Sequence, residues 1–453
     1  MRIISEPPRE TPVAHECDLC VIGGSCTGVF AAVRAARLGL SVTLVEQNVL
    51  LGGMATGAQV NEWHSLDDLA GTRPIIAGLT KEMLNRLKSR GAARAHPHPG
   101  GLRHRFNSAE LAMELDELVR ENHITLFLRG LCVGGARDGR TITAAIIEDK
   151  SGRRAIGARF FIDASGDGDL LRRTGLAAWR NPALQPVNYQ ILVDGLDGRL
   201  DGLWDRIRPF AGEFGYPLEN ATPWFFDYPS PAGLVNVFGA RLNSVDASNA
   251  DQATAAILEG RRRHRALIQM IRKGLGAEVT AVAIAHALGV RETWHARCLH
   301  RISAGELLSG YQFHDAIAKG TYPLDVHSPE GTMLRYLDGS EHCVESDGSI
   351  TKRRWRSADI ASPECYEIPY RSLVPDAADN LLVAGRLLDA DREAFGGVRV
   401  MVNMNQTGEA AGVAAWLALK TGRAAASIPP LTLQQCLTEG GSLLAPKASQ
   451  TGG

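Results

Sequence analysis

The sequence has few of the features that mark secreted, membrane-spanning or nucleic-acid-binding proteins. Eight cysteines in 453 residues are too few and too scattered for a disulfide framework. No run of about 18 apolar residues occurs, so no membrane span is expected. The net charge of −1 gives no electrostatic case for a nucleic-acid or anionic-membrane partner. The first residues also lack the apolar stretch of a secretion signal, and we therefore expect a cytoplasmic protein.

Metal and thiol sites are not indicated either. His96, His98 and His104 have neither the helical i, i+4 spacing nor the neighbouring cysteines of a zinc site, so no metal is predicted. Cys17 and Cys20 form a CxxC, but they lie in or just before a strand rather than at a helix start, which favours packing over redox chemistry. No CxxxxC follows the glycine turn, which argues against a disulfide-reductase relay. The length predicts two or three domains.

A strand–turn–helix–strand pattern lies near the N-terminus. The buried-strand pattern at 19–22 is followed by the turn "GGSCTG", a helical pattern over 29–39 and a second buried strand over 40–47. Glu46 lies near the end of that second strand, roughly twenty residues beyond the turn, which is the spacing of dinucleotide-binding domains. This segment therefore predicts a nucleotide-binding fold.

Each part of the pattern has a physical role. Gly23 permits a tight turn, Gly28 lets the helix lie close to the sheet, and the free N–H groups at the helix start favour a pyrophosphate. Glu46 can accept hydrogen bonds from an adenosine ribose and would repel a 2′-phosphate, which argues against NADP. Ser25 stands where the usual pattern has its middle glycine, and Cys26 is expected to fill space beside the phosphates. The turn alone does not distinguish NAD from FAD.

Later segments favour FAD. The small residues of "LGGMATG" suit the ribityl chain of this longer dinucleotide, because they leave backbone N–H groups accessible. A helix and a strand are predicted over 106–128, and two further strands end in glycine turns within 158–170 and 380–386. A loop then leads to a long helix that is expected to begin near Val398. Its N-terminal N–H groups would face the N1/O2 edge of a flavin and stabilise the reduced state.

Ordered segments along nearly the whole chain resemble one protein family. They are "LGGMATG", "FIDASGDGD", "LGVRETW", "YPLDVHSPEG", "YEIPYRSLVP", "NLLVAGR", "FGGVRVM" and "GEAAGVAAWLA". On these segments the chain resembles the FAD-dependent oxidoreductases of the glutathione-reductase-like superfamily, in the group that carries GG-M-A-T after the first ribose-binding acid.

The resemblance implies an α/β protein with a Rossmann-like FAD-binding domain, a mainly parallel sheet with helices, plus an inserted α+β substrate or lid domain. The FAD-binding domain is expected from two chain segments, 1–180 and 365–430, with the substrate domain over 181–364. Residues 431–453 are expected to form a C-terminal tail, disordered over 449–453.

Carried over residue by residue, the resemblance also implies the positions that hold FAD. They are Gly23, Gly24, Ser25, Thr27 and Gly28 around the pyrophosphate, Glu46 and Gln47 at the adenosine, Gly52, Gly53, Met54, Ala55 and Thr56 along the ribityl chain, Val133, Ala164, Ser165, Gly166 and Asp167 around the adenine half, and Gly385 and Arg386 beside the ribityl–pyrophosphate region. Independently of the resemblance, Cys26 is expected beside the cofactor because it lies in the same turn, and Gly397, Val398, Arg399 and Val400 because the long helix is expected to begin there. Related flavoproteins often have an acid in place of Arg386, which leaves the role of that residue open.

The flavin carries the electron transfer, so the protein must present a substrate and manage a proton. Arg291 and Glu292 can together bind a substrate carboxylate, the alternative being a structural ion pair at a domain junction. Asp325 and His327 alternate along an extended stretch and share a face. They suit an aspartate that orients a general base near neutral pH, with surface placement of both as the alternative. His64, just after the ribityl segment, can also reach the flavin ring.

We therefore expect an FAD-dependent oxidoreductase that removes a hydride from a small organic substrate and passes the electrons to oxygen or another acceptor. The alternatives are a monooxygenase that uses NAD(P)H and O2, an NAD-dependent dehydrogenase, and a flavin-binding electron-transfer subunit without turnover. The expected partner is a small-molecule substrate. The sequence leaves open the identity of that substrate, the electron acceptor, covalent attachment of the flavin and a homo-oligomeric state.

Overall fold

The structure is a computed structural model that describes residues 2–98, 101–196, 198–218, 222–230, 233–345 and 349–444. The stretch 449–453, expected to be disordered, lies outside the described residues. The strands of the described part, in chain order, are β1 Val13–Ile22, β2 Val42–Glu46, β3 Glu62–Trp63, β4 Ala93–His96, β5 Arg103–Phe106, β6 Thr125–Leu128, β7 Leu131–Asp138, β8 Thr141–Asp149, β9 Gly152–Asp163, β10 Ala178–Trp179, β11 Val187–Asp194, β12 Trp224–Asp227, β13 Val235–Leu242, β14 Thr280–Ile284, β15 His295–Ala296, β16 Ala316–Gly320, β17 Leu324–Ser328, β18 Gly331–Arg335, β19 Ser340–Glu345, β20 Ile350–Arg354, β21 Tyr366–Pro369 and β22 Leu381–Val383.

The helices of the same part are α1 Cys26–Arg37, α2 Gly78–Ser89, α3 Ser108–Glu121, α4 Asp169–Arg173, α5 Leu203–Ile207, α6 Ala211–Phe214, α7 Ala250–Leu275, α8 Ala304–Ser309, α9 Arg392–Val398, α10 Met401–Thr421 and α11 Pro430–Glu439. No helix of the described residues has both the length and the apolar character needed to cross a membrane.

The central sheet has the strand order β6-β2-β1-β9-β8-β7, and β22 also pairs with β9. Strands β6, β2, β1, β9 and β22 pair in parallel, whereas β7 and β8 form an antiparallel extension. Strand β22 comes from a late part of the chain, so two distant segments complete one sheet. This confirms the predicted α/β class with a mainly parallel, Rossmann-like sheet.

Helix α1 lies directly against the glycine turn and against α10. A Cβ atom at Gly28 would overlap the carbonyl oxygen of the turn, which confirms the predicted reason for a glycine there. A Cβ at Gly408 would overlap the carbonyl oxygen of Thr27, and one at Gly412 would overlap that of Ala31. Two small residues one turn apart thus bring α10 against α1, and place the start of α10 beside the carboxyl ends of the parallel strands.

The segment before α10 differs from the sequence prediction. The expected loop contains a short helix, α9, because Asp391 caps it by accepting a hydrogen bond from the N–H of Ala394 at 2.8 Å. The chain becomes extended at Val400 (φ −66°, ψ 146°), and the long helix begins at Met401 rather than near Val398. Helix α10 therefore begins about three residues later than expected.

The inserted region is built from antiparallel sheets. One has the order β12-β13-β11-β14 with the long helix α7 on its face, and another is the meander β17-β18-β19-β20. Both strands and helices occur within 181–364, the range given above for the substrate domain. Strand β16 pairs with β21, so the boundary expected at 364/365 falls between two strands of one small sheet. In the expected C-terminal tail, α11 buries Leu433 and Leu437.

Candidate functional site

A large cavity lies between the carboxyl ends of the central strands and the antiparallel sheets of the inserted region. Its volume is about 1200 Å³. Single-ligand pockets have volumes of roughly 300–1,000 Å³, so this cavity has room for a dinucleotide and a second, smaller molecule. Its position follows from topology, because parallel strands with helical connections leave a crevice outside their carboxyl ends.

Most of the residues expected to hold FAD lie on the wall of this cavity. They are Gly23, Ser25, Cys26, Thr27, Glu46, Gln47, Gly52, Gly53, Met54, Ala164, Ser165, Gly166, Asp167, Gly385, Arg386, Arg399 and Val400. The remaining expected positions, Gly24, Gly28, Ala55, Thr56, Val133, Gly397 and Val398, are described in the structure but are not part of its wall. In β7, Cys132 lines the cavity instead of Val133, because adjacent strand residues point to opposite faces.

The first turn is shaped by backbone geometry. Gly23 has φ +98°, and a Cβ there would lie 2.5 Å from the carbonyl oxygen of Ala164. Ser25 caps α1, its Oγ accepting a hydrogen bond from the N–H of Gly28 at 3.4 Å. The departure from the usual glycine at position 25 therefore supplies a helix cap. The start of α1 faces the cavity at Thr27, where its dipole favours a negative group.

Glu46 is buried at the end of β2 and fixes the turn. Its Oε2 accepts a hydrogen bond from the N–H of Gly24 at 2.6 Å, and its Oε1 accepts one from the N–H of Asn48 at 2.7 Å. Burial raises the pKa of this carboxyl above its usual value. Glu46 and Gln47 both lie on the cavity wall, at the point where the sequence predicts the adenosine ribose.

The wall also contains a polar group without a partner. Asn405 of α10 lines the cavity and is 1% exposed, yet neither its Oδ1 nor its Nδ2 has a hydrogen-bond partner among the described residues. An unpaired buried polar group costs about 1–3 kcal/mol. A polar ligand at this point would satisfy Asn405. Together with the glycine turns, this unpaired amide means that the residues present fit an FAD molecule.

Arg386 has a defined place in this wall. Its Nη2 lies 2.7 Å from Asp167 Oδ1, and its Nη1 donates to Thr293 Oγ1 at 2.6 Å. A Cβ at Gly166, where φ is +80°, would lie 2.5 Å from Arg386 Nε. The arginine thus covers the glycine turn after β9, and its charge is balanced by Asp167.

Asp325 is the centre of a second, charged part of the cavity. Its Oδ2 accepts hydrogen bonds from Arg399 Nη2 at 2.8 Å and from the Tyr322 hydroxyl at 2.9 Å. Helix α9 packs directly on this strand, since a Cβ at Gly396 would lie 2.8 Å from the carbonyl oxygen of Asp325. Asp325 is 5% exposed and His327 3% exposed, so the alternative of surface placement is wrong.

His327 has partners at both ring nitrogens. Nδ1 lies 2.8 Å from Thr332 Oγ1, and Nε2 lies 3.2 Å from Asp325 Oδ1. Burial lowers the pKa of His327 to about 3. Burial alone would raise the pKa of Asp325, but the guanidinium group of Arg399 beside it holds this pKa well below its usual range. His327 is therefore a neutral residue that is held in place, which differs from the expected base that titrates near neutral pH.

Arg291 and Glu292 do not act as a pair. Arg291 lines the cavity, and its Nη1 donates to Asn188 Oδ1 at 2.9 Å. Glu292 is fully buried outside the cavity wall, where it accepts a hydrogen bond from the Gln185 N–H at 3.1 Å and lies 3.2 Å from His295 Nε2. The two neighbouring side chains have separate partners, so neither the joint carboxylate site nor the mutual ion pair is observed.

His64 lies half-buried on the cavity wall, its ring 4.2 Å from the ring of Tyr322. Burial lowers the pKa of His64 to about 3, so the ring is neutral at neutral pH. Its Nδ1 has no hydrogen-bond partner among the described residues. These residues also contain no group of three or more His, Cys, Asp or Glu side chains arranged as a metal site.

Sequence reasoning missed Arg241 and Tyr322. Phe238 and Arg241 both line the cavity although they are three residues apart in β13, an odd spacing that normally places residues on opposite faces. Ala240 between them has φ +48°, and the pairing of β13 with β11 shifts register here. A β-bulge therefore turns Arg241 inward, and no signal in the sequence marks it. Tyr322 is the first residue of the segment "YPLDVHSPEG" quoted above, so the sequence did contain a signal for it.

Comparisons with solved structures find distant likenesses. A geranylgeranyl bacteriochlorophyll reductase-like protein from Thermoplasma acidophilum is 12% identical, with 94% of this chain and 83% of that chain covered and a TM-score of 0.48. The p-nitrophenol 4-monooxygenase from Pseudomonas putida is 11% identical, with 94% and 88% covered and a TM-score of 0.43. A flavoprotein/dehydrogenase from Cytophaga hutchinsonii is 14% identical, with 90% and 79% covered and a TM-score of 0.42.

A comparison with protein families gives a match over most of the chain. The family described as FAD dependent oxidoreductase matches residues 18–437. This range includes the first glycine turn, the inserted region and α10, and thus both parts of the cavity wall. The chain therefore belongs to the FAD-dependent oxidoreductase family, and its cofactor is FAD.

Proposed function

We propose that the protein removes a hydride from a small organic substrate and passes the electrons to oxygen or another acceptor. The observation that carries this proposal is the continuity of the cavity, in which the glycine turns and the charged cluster around Asp325 share one space. Bound FAD supplies the two-electron acceptor. We also place the chain in the group with GG-M-A-T after the first acid, since Gly52, Gly53 and Met54 lie on the cavity wall.

The start of α10 has a defined role in this proposal. Val400 is its N-cap residue, and Val400 and Met401 both line the cavity. The first N–H groups of a helix carry partial positive charge, which stabilises negative charge nearby. Asn405, one turn further, adds an unpaired amide to the same wall. These groups would hold the polar edge of the cofactor ring, while the charged cluster binds the substrate.

His64 is the proton acceptor in this proposal. A general base must be unprotonated at neutral pH and must have a nitrogen that is not committed to the protein. His64 lines the cavity and has an unpartnered Nδ1, so the geometry favours it. Burial lowers its pKa to about 3, so bound substrate must raise this pKa towards neutrality for His64 to be an effective base. His327 is also neutral, but its Nδ1 is paired with Thr332 Oγ1 and its Nε2 lies 3.2 Å from Asp325 Oδ1. His327 is therefore a positioning residue, and Asp325 positions Arg399 and Tyr322.

Anaerobic mixing of the yellow protein with a panel of organic compounds tests the reaction. We expect at least one compound to bleach the flavin absorbance without NAD(P)H. His64→Gln should slow that bleaching by about 10²–10⁴-fold at unchanged flavin content. The matched control His314→Gln, in which the replaced side chain is 69% exposed, should leave the rate unchanged.

Four results would overturn parts of the proposal. A requirement for NAD(P)H together with oxygen would identify a monooxygenase. Failure of every compound to bleach the flavin would favour a binding protein without turnover. A wild-type bleaching rate in His64→Gln would remove His64 as the proton acceptor, and a similar fall in His327→Gln without loss of flavin would move that role to His327.

A further inference from the structure

The charged part of the cavity carries more positive than negative charge. Three arginines line the wall around Asp325, namely Arg241, Arg291 and Arg399. Arg399 pairs with Asp325. Arg291 donates to the Asn188 side chain and to a backbone carbonyl, both of them neutral, and the Nη1 of Arg241 lies 3.4 Å from a threonine hydroxyl. Among the described residues, Arg241 and Arg291 therefore have no carboxylate partner.

The other titratable groups of the cavity do not remove this excess. Burial lowers the pKa values of His64 and His327 to about 3, so both are neutral. Glu62 is already shared by Arg103 at 2.7 Å and Arg105 at 3.2 Å. The other acidic and basic side chains of the wall are Glu46, Asp167, Asp169 and Arg386 on the cofactor side and Glu345 and Lys352 on the outer strands β19 and β20. Two guanidinium charges beside Asp325 are left without compensation.

This arrangement disfavours the charged form of Arg291. Burial, and then the neighbouring charges of Arg399 and Arg241, lower the pKa of Arg291 to about 9. Arg291 is still charged at neutral pH, because this value lies above 7. Buried charges are unfavourable unless an opposite charge accompanies them. An anion bound between Arg241 and Arg291 would supply the missing charge and relieve the repulsion.

We propose that the substrate is an organic acid whose carboxylate is bound by Arg241 and Arg291. This inference rests on the proposed function. The guanidinium group offers N–H donors in a planar fork that matches the two oxygens of a carboxylate. Asp325 and its partner Arg399 border the site, so that the carboxylate meets a cationic surface on one side and an existing ion pair on the other.

An aromatic wall beside the arginines indicates the rest of this acid. Phe238 lies three residues before Arg241 in β13, a span of roughly 10 Å along a strand. Its ring meets the ring of Phe226 edge-to-face at 5.1 Å, and Trp224 packs on Phe226 at 6.4 Å. All three rings line the cavity. We therefore assign an apolar body to the acid, placed against these rings with its carboxylate directed to Arg241.

Calorimetric titration of the FAD-loaded protein tests the inference. The probes are phenylacetate, 4-phenylbutyrate and hexanoate, each compared with its uncharged amide, together with phenyl phosphate. We expect at least one acid to bind at least tenfold more tightly than its amide, and its affinity to fall as salt is added. The proposal is overturned when no acid exceeds its amide, and the carboxylate assignment is overturned when phenyl phosphate binds more tightly than every acid.

Variants locate the binding site. Arg241→Gln and Arg291→Gln should each weaken acid binding by about ten- to a hundredfold, and the lysine replacements should restore part of it because charge is kept but the fork is lost. Arg94→Gln removes an arginine that is exposed on β4, and it should leave binding unchanged. Equal affinity in wild type and in both glutamine variants would overturn the assignment.

The flavin colour separates this inference from the proposed function. Each variant is first checked for its flavin-to-protein ratio, which should equal that of the wild type because neither arginine is assigned to the cofactor. A fully yellow wild-type protein that binds no acid would overturn the carboxylate site and leave the FAD assignment in place. A wild-type protein that stays colourless with excess FAD would overturn both.

Discussion

The two parts of the cavity wall are built in different ways. The cofactor side is made mainly of backbone, with glycine turns that follow β1 and β9 and a helix start that faces the same space. The substrate side is made of charged side chains from separate parts of the chain, namely Arg241, Arg291, Asp325 and Arg399. The first depends on close approach of backbone atoms and the second on the balance of charge. Substitutions should therefore act on the two sides through different physics.

The largest effect is expected on the cofactor side. Gly28→Leu places a side chain where even a Cβ would overlap the carbonyl oxygen of Gly23, so α1 must move away from the turn. We expect loss of all flavin from the purified protein, measured as the ratio of flavin to protein absorbance. Gly305→Leu is the matched control, because a Cβ at this exposed glycine meets no atom within 4 Å. Retention of full colour in Gly28→Leu would show that the turn tolerates displacement.

The difference between the two sides also explains why the cofactor side is easier to predict from the sequence. The glycine turn, Glu46 and the strands around them follow one another along the chain, so their spacing is visible in the sequence. Membership of β22 in the central sheet was also predictable, because the resemblance to a known family covers both segments. The cofactor side could therefore be outlined before the structure was known.

The substrate side depends on features that spacing does not carry. Arg241 enters the cavity through a β-bulge at Ala240. Glu292 was grouped with Arg291 because the two are adjacent, yet it turns to His295 and Gln185. Helix α9 was interpreted as a loop because its glycines hide the helical pattern that Asp391 initiates. In each case a local backbone conformation or a tertiary partner decides where the side chain lies.

On the substrate side we expect a smaller effect, in which the loss of a buried side-chain charge tightens ligand binding instead of weakening it. Asp325→Asn removes the negative charge of the cluster and leaves three guanidinium groups, so it should tighten the binding of phenylacetate or 4-phenylbutyrate several-fold. It should also lower stability by about 1–3 kcal/mol, because Arg399 loses a charged hydrogen-bond partner. Calorimetry and urea unfolding of the FAD-loaded protein measure the two quantities.

Asp205→Asn is the control for the loss of an acid, since the Asp205 side chain is 72% exposed. It should change neither quantity. Weaker acid binding in Asp325→Asn at wild-type flavin content would mean that Asp325 orders the arginines more than it competes with the substrate. The substrate side would then depend on the precise placement of its groups, as the cofactor side does, and not only on the balance of charge.

The smallest expected effect is on the pH dependence of the free energy of unfolding. A group on the substrate side and a group on the cofactor side should change this free energy in opposite directions as the pH rises. Folding lowers the pKa of His327 from the ordinary value of about 6.5 to about 3, because burial disfavours the charged ring. Its stabilising contribution is present above about pH 6.5 and is lost as the pH falls towards 3. On the cofactor side, burial and the neighbouring Asp163 and Asp167 raise the pKa of Asp169 to about 7. Its contribution is present in acid and is lost as the pH rises from about 4 to 7.

Urea unfolding of the FAD-loaded protein at about pH 5 and about pH 8 measures both responses. His327→Gln should lose about 1–2 kcal/mol less stability than the wild type between pH 8 and pH 5, because it removes a group that must charge on unfolding. Asp169→Asn should gain stability relative to the wild type at the higher pH, because its side chain cannot ionise. His314→Gln, an exposed change, should follow the wild type at both values. Identical pH dependence in wild type and His327→Gln would mean that His327 is solvated in the loaded protein, and that the substrate side is less closed than its burial in this structure indicates.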